Sequence, residues 1–260
     1  MSFMQFPQTL TLSHTMAVMR LKGEASKLVL SYLWWVIEPL LYVAVFYLVF
    51  EKLLLRGGED FLVFLMVGKI PFLWFSKSIN AGANALLAGK GVMGQRDFPK
   101  HIFPYSVVLE ASYKQVVVFL LLFVWLFTQG YSLSQACLWL PLLILSNLSL
   151  ILSGSMLAAL LVVYLQDLRV VISMGTLFLM FASGIFWDVR SIADPEVQQL
   201  ILTFNPLAFL LDAYRQILMH QTSPDISYLL VLTFLSLVLL GLVHWVYARQ
   251  SQYIAYKVLS

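Results

Sequence analysis

Apolar residues in this chain gather into long runs separated by short polar breaks. Roughly 20 apolar residues let a tilted helix cross the hydrocarbon of a membrane, so each run predicts a span. The clearest covers residues 28–50, apolar apart from Ser31 and Glu38 and bracketed by Lys27 and by Glu51 and Lys52. A second covers 61–87, interrupted by Lys69 and Pro71, and carries Lys77, Asn80 and Asn84 on one helical face at i, i+3 and i+7. Others are expected over 104–128, 136–164, 170–187 and 227–248, the fourth being rich in the small residues that permit close helix packing in lipid. The pattern predicts an all-α membrane protein with six transmembrane helices.

Two stretches break the pattern. Residues 89–103 set Lys90, Arg96 and Lys100 among Gly89, Gly91, Gly94 and Pro99. That composition is excluded from hydrocarbon, and the positive-inside tendency assigns it to the cytoplasm. In residues 188–224 the apolar run 200–219 is broken at Asn205-Pro206 and carries Asp212 and Arg215 in its second half. Proline removes a helix hydrogen bond and disfavours helix in the residue before it, so two short helices that re-enter from outside are expected rather than one crossing. Parity then leaves both termini in the cytoplasm. The charge tally agrees: Arg20, Lys22, Lys27, Lys90, Arg96, Lys100, Arg169, Arg249 and Lys257 fall on cytoplasmic segments, against Lys52, Arg56, Arg190 and Arg215 outside.

Composition narrows the class further. Of the 260 residues 61% are hydrophobic and 11% charged, which leaves room for the spans and no separate soluble domain. The net charge of +3 is accounted for by topology, so no nucleic-acid partner is expected. The single Cys137 sits in an apolar run and excludes an internal disulfide framework. The polar N-terminal stretch, residues 1–27, has no apolar core ending at a cleavage site, so no removable signal peptide is expected.

Candidate chemistry is sparse. His14, His101, His220 and His244 fall near different segment ends without partners at metal-ligand spacing, so neither a metal nor a catalytic cluster is expected. Lys90 is followed by Gly91, and Asn84 stands six positions before it, so no phosphate-cradling loop is present. ATP, if it drives this chain, is bound by another. The functional signal that remains is ionisable groups inside spans, which are costly unless paired or facing water. These are Glu38, Lys69, Lys77, and Glu110 with Lys114, the last two in the favourable i, i+4 order of an intrahelical pair. Aromatic residues, 15% of the chain, concentrate at Tyr32, Trp34, Trp35, Tyr42, Phe46, Tyr47, Phe72, Trp74 and Phe75. They form either an interfacial belt or the lining of a conduit on which sugar faces stack.

Four short motifs in order carry a family resemblance. They are residues 30–39 (LSYLWWVIEP), 67–72 (VGKIPF), Asp97-Phe98-Pro99-Lys100 with Pro104, and Asn205-Pro206-Leu207 with Tyr214-Arg215. The chain resembles the ABC-2-type permeases that export bacterial capsule and O-antigen polysaccharides, over most of its length. Ser31 stands where glycine is expected, and Lys69 at a site usually apolar.

The resemblance implies a single ABC-2 transmembrane domain over 1–260. Its parts would be an N-terminal interface helix within 1–27, spans 1–5 within 28–187, a periplasmic re-entrant region 188–224, span 6 over 225–248 and a cytoplasmic tail 249–260. It implies a homodimer bound to two copies of a separate ATPase, which holds the ATP and Mg, in the bacterial inner membrane. The conduit for a lipid-linked polysaccharide would lie between the protomers. Coupling to the ATPase is expected at Lys90, Arg96, Asp97, Phe98 and Lys100. The path is expected at Tyr32, Trp34, Trp35, Glu38, Tyr42, Lys69, Lys77, Asn80 and Asn84, and a periplasmic gate at Trp187, Asp188, Arg190, Asn205, Pro206, Asp212 and Arg215. Export of teichoic acid, another lipid-linked polymer or a small molecule is the alternative within the same fold. A membrane-embedded transferase is the rival outside it.

Overall fold

A computed structural model describes residues 6–26, 31–53, 60–95, 98–132 and 134–259, with the side chains of residues 6, 7, 25, 31 and 32 excepted. Among the described residues all regular structure is helical. In chain order the helices are α1 (Phe6–Ala25), α2 (Ser31–Tyr47, prolonged by a π-turn Leu48–Leu53), α3 (Phe61–Ala88), α4 (Lys90–Met93) and α5 (Ile102–Thr128). They continue as α6 (Leu140–Tyr164, entered through a 3₁₀ turn Gln135–Trp139), α7 (Leu168–Ala182), α8 (Pro195–Phe204), α9 (Pro206–Leu218) and α10 (Ile226–Leu259).

Among the described residues five helices are long and apolar enough to cross a membrane: α2, α3, α5, α6 and α10. The fifth expected span is shorter than its apolar run. α7 stops at Ala182 instead of 187 and, with 15 residues, rises about 22 Å against a hydrocarbon core of about 30 Å. Beyond it the chain unwinds through Ser183 and Gly184, the latter at φ +71°, a conformation that side chains disfavour. The last helix is longer than expected. α10 runs through the tail to Leu259, with one non-helical residue at Gln250 (φ −108°, ψ 16°) that bends it.

α3 is the most buried of the five and α2 the least. α3 packs on both α5 and α6, and α6 packs on α10. Lipid is as apolar as leucine, so close approach and polar contacts hold such helices together. A Cβ on Gly82 would stand 2.6 Å from the Ser155 Cβ, which leaves glycine as the residue that admits α6 to α3. At this crossing the Ser155 hydroxyl donates to the Ser78 carbonyl at 3.1 Å. Ser146 and Thr233 share a hydrogen bond of 2.5 Å between α6 and α10, and the Tyr247 hydroxyl donates to the Met156 carbonyl at 3.0 Å. Each contact of this kind contributes about 0.6 kcal/mol in a bilayer.

The buried face of α1 is Thr9, Ser13 and Ala17, small residues at i, i+4 and i+8 that let the helix lie close along α5. Leu10 and Met19 are exposed. At the α4 end, Met93 packs with Ile254 and Val258 of α10 in one buried cluster. At the other end, α8 and α9 sit between the exit of α7 and the start of α10, and the Tyr228 hydroxyl donates to the Thr203 carbonyl at 2.5 Å.

Candidate transport and coupling sites

The expected path residues separate into three groups. Glu38 of α2 and Lys77 of α3 form an ion pair of 2.6 Å on the wall of an open cavity of about 740 Å³ lined by α1, α2, α3 and α5. Trp34, Trp35 and Trp74 line it. On its far wall Lys114 pairs with Glu110 at 2.8 Å, as its spacing predicts, and also with Glu24 of α1 at 2.6 Å. The Lys114 ammonium stands 5.7 Å from the Trp35 ring centre. Nothing in the sequence singles out Glu24, because the pair closes over 90 positions.

Lys69 belongs to a second group. Its side chain is 1% exposed and its ammonium sits among the rings of Phe46, Tyr42 and Phe72, at 5.0, 5.3 and 5.5 Å from their centres. It also donates to the Met180 sulfur of α7 at 2.9 Å. Ring faces carry negative charge, so this cage substitutes for the carboxylate that a buried ammonium ordinarily requires. Asn80 and Asn84 form the third group: Asn80 donates to the Thr176 hydroxyl at 2.9 Å and so ties α3 to α7, and Asn84 donates to the Asn80 carbonyl at 2.9 Å. Trp34 and Tyr42 are about two-fifths exposed, whereas the Tyr32 side chain lies outside the described residues.

The expected gate residues do come together, around α9. Asn205 ends α8 and begins α9: its side-chain oxygen accepts from Leu207 and Ala208 N–H at 3.1 Å each, and its amide donates to the Ala182 carbonyl at 3.2 Å. Pro206 follows at the first helical position, where its missing N–H costs nothing. Arg190 grips Asp212 through two parallel bonds of 2.8 Å, and Gln216 donates to the same carboxylate at 2.6 Å. The hydrogen bonds to Asp212 raise the Arg190 pKa further above its ordinary value. Asp188 caps the turn that presents Arg190, accepting from its N–H at 2.9 Å, and Trp187 donates to the Phe181 carbonyl at 2.9 Å.

Arg215, 3% exposed, donates to the carbonyls of Gly184 at 2.7 Å, Ile185 at 3.2 Å and Phe64 at 3.4 Å, and lies 3.5 Å over the Phe64 ring. The Gly184 and Ile185 carbonyls are free to accept because the chain after Ala182 is not helical, which is also why the apolar run overestimates α7. Gly184, Phe64 and Gln216 complete the network. Their side chains, or the lack of one, carry no sequence mark of the role.

At the opposite end α4 presents Lys90 and Val92 outward, while Met93 is buried. Phe98 is half-buried and Lys100 is 2% exposed, so Lys100 is turned into the chain rather than outward. Arg96 and Asp97 lie outside the described residues.

The profile of the ABC-2 type transporter family matches residues 26–219, most of the chain and all of these groups except the α1 side of the cavity. The O-antigen export system permease protein RfbA of Myxococcus xanthus is 28% identical over 211 residues, 81% of either chain. A protein of the same name from Klebsiella pneumoniae is 26% identical over 84% of either chain. The polysialic acid transport protein KpsM of Escherichia coli is 27% identical over 80% of this chain and 82% of its own. With several apolar helices long enough to cross and a family profile covering three-quarters of its length, this chain is a multi-pass membrane protein of the ABC-2 type transporter family.

Proposed function

We propose that the chain is the permease subunit of an ATP-driven exporter that carries a lipid-linked polysaccharide, of the O-antigen or capsule kind, across the bacterial inner membrane. It works as a homodimer with two copies of a separate ATPase. The similarity to O-antigen and polysialic acid transport proteins over four-fifths of each chain carries this reading. The geometry supports it at two places. α4 projects Lys90 and Val92 from the end that holds the tail of α10, and the buried Met93 braces it there, as a docking segment for a cytoplasmic motor requires. α7 ends and α10 begins on either side of α8 and α9, so the region between them returns to the face it left, as a re-entrant periplasmic gate requires.

The test is co-purification of an ATPase with the chain in mild detergent, together with surface glycan in a strain lacking the chain. An equimolar complex and loss of surface glycan are expected. Lys90→Glu with Val92→Glu should leave the chain in the membrane while breaking the complex or severing hydrolysis from export. A chain that purifies alone, or a deletion strain with normal surface glycan, overturns the reading.

A further inference from the structure

Two of the sequence motifs meet in the structure, at Gly68 in the VGKIPF stretch of α3 and at Arg215 of α9. Glycine weakens a helix interior relative to alanine, so its place inside α3 calls for a cause. The cause lies across the helix surface. A Cβ on Gly68 would stand 2.4 Å from Arg215 Nη2 and 3.2 Å from its Cζ. The first distance is a hard overlap, so the guanidinium occupies the space that a Cβ would take.

A long side chain on a surface bends away from an added methyl, but this one is held. Nη1 donates to the Gly184 carbonyl at 2.7 Å. Nη2, the atom nearest Gly68, donates to the Ile185 carbonyl at 3.2 Å and to the Phe64 carbonyl at 3.4 Å. Phe64 lies one helical turn before Gly68, and its ring centre is 3.5 Å from the guanidinium carbon. The slot therefore has a floor, the Phe64 ring, and an opening, the bare Cα of Gly68. Through it α9 grips both α3 and the unwound chain after α7. Displacing the guanidinium breaks the Nη2 bonds in a buried site, where a lost partner is costly.

We propose that Gly68 is a positioning residue of the α8–α9 gate: it admits Arg215 to α3 and so sets where α9 stands against the segment that follows α7. That this region is a gate rests on the proposed function, whereas the interlock of Gly68 with Arg215 does not. Only Gly89 separates α3 from α4, so the interlock refers the position of α9 to the helix that carries the docking segment.

The test reads the segment after α7 and needs no substrate. Ile185, which is fully buried, is changed to Cys in a Cys137→Ala background, and its reaction with a water-soluble maleimide is timed on the chain in nanodiscs, with its ATPase where the two co-purify. Gly68→Ala should speed labelling about tenfold, the change that goes with one lost hydrogen bond to a charged group. Arg215→Lys removes Nη2, keeps the charge on which Asp188 and Asp212 act, and sets an ammonium where Cζ stands. Alone it should also speed labelling; combined with Gly68→Ala it should slow labelling relative to Gly68→Ala alone. General loosening of the bundle does not produce that reversal of sign. Gly82→Ala, which drives a methyl against Ser155 elsewhere on α3, should leave Ile185→Cys protected. Where Gly68→Ala fails to reach the membrane, abundance replaces labelling: it should recover in the double variant, and continued absence overturns the proposal. So do equal labelling of all variants, additive effects of the two substitutions, or the same acceleration from Gly82→Ala. Surface glycan then reads the gate. Gly68→Ala should lower it at normal abundance and the double variant should restore part of it; unaltered glycan overturns the positioning role. A deletion strain with normal glycan counts against the proposed function alone, because labelling still decides the interlock.

Discussion

The partners in the Arg190–Asp212 pair are not equally exposed, and this makes its two halves unequal. The Arg190 side chain is 46% exposed and the Asp212 side chain 5%. Removing the arginine strands a buried carboxylate with Gln216 as its remaining donor, at a cost of about 1–3 kcal/mol, while an arginine that loses its carboxylate turns to water. Arg190→Met should therefore lower the melting temperature in detergent more than Asp212→Asn, and equal losses would show that the pair acts as a surface contact. His101 obeys a different logic. It precedes α5, outside the span, and its ring centre is 4.5 Å from that of His244. Burial first, and the charge of His244 second, lower its pKa from 6.5 to about 4. On acidification the unfolded chain takes the proton first, so the stability contributed by neutral His101 is complete above about pH 6.5, declines as pH falls toward 4 and is gone below it. Melting temperature should fall between pH 7 and pH 5, and His101→Gln should flatten that fall. An unchanged slope would place the titrating group elsewhere.

At the scale of elements, the apolar runs locate α3, α5, α6 and the start of α10 to within a few residues, because the end of a run is where hydrocarbon ends. They misjudge α7, whose last apolar residues are not helical: Gly184 turns the chain, and Arg215 takes the carbonyls that a continued helix would have used. Asn205-Pro206 marks the break between α8 and α9 in the sequence itself, since a side-chain cap followed by proline is local chemistry. The joining of Lys114 to Glu24, of Lys69 to three rings and of Arg190 to Asp212 depends on which helices are neighbours, and no single run encodes that. The re-entry of α8 and α9 has its own test. Cysteines at the exposed Ser191 and Ser223, in a Cys137→Ala background, should both react with an impermeant reagent from the periplasmic side. Labelling of Ser223→Cys from the cytoplasm alone would turn this region into a crossing.

Across the whole molecule, α10 reaches from the α8–α9 region to α4, the two candidate functional ends. Its first turn holds α8 through Tyr228 and Thr203, and its last turns hold α4 through Ile254, Val258 and Met93. Its 34 residues measure about 51 Å, and the bend at Gln250 leaves about 14 Å of that beyond it. In mechanical terms it is a push rod with a joint near one end. If α4 docks a motor, a sideways tilt of α4 would be taken up at the joint, and a thrust along the axis would pass through to α8. The signal expected to cross the molecule is then a stroke and not a swing, arriving beside Asn205, where the chain changes from α8 to α9.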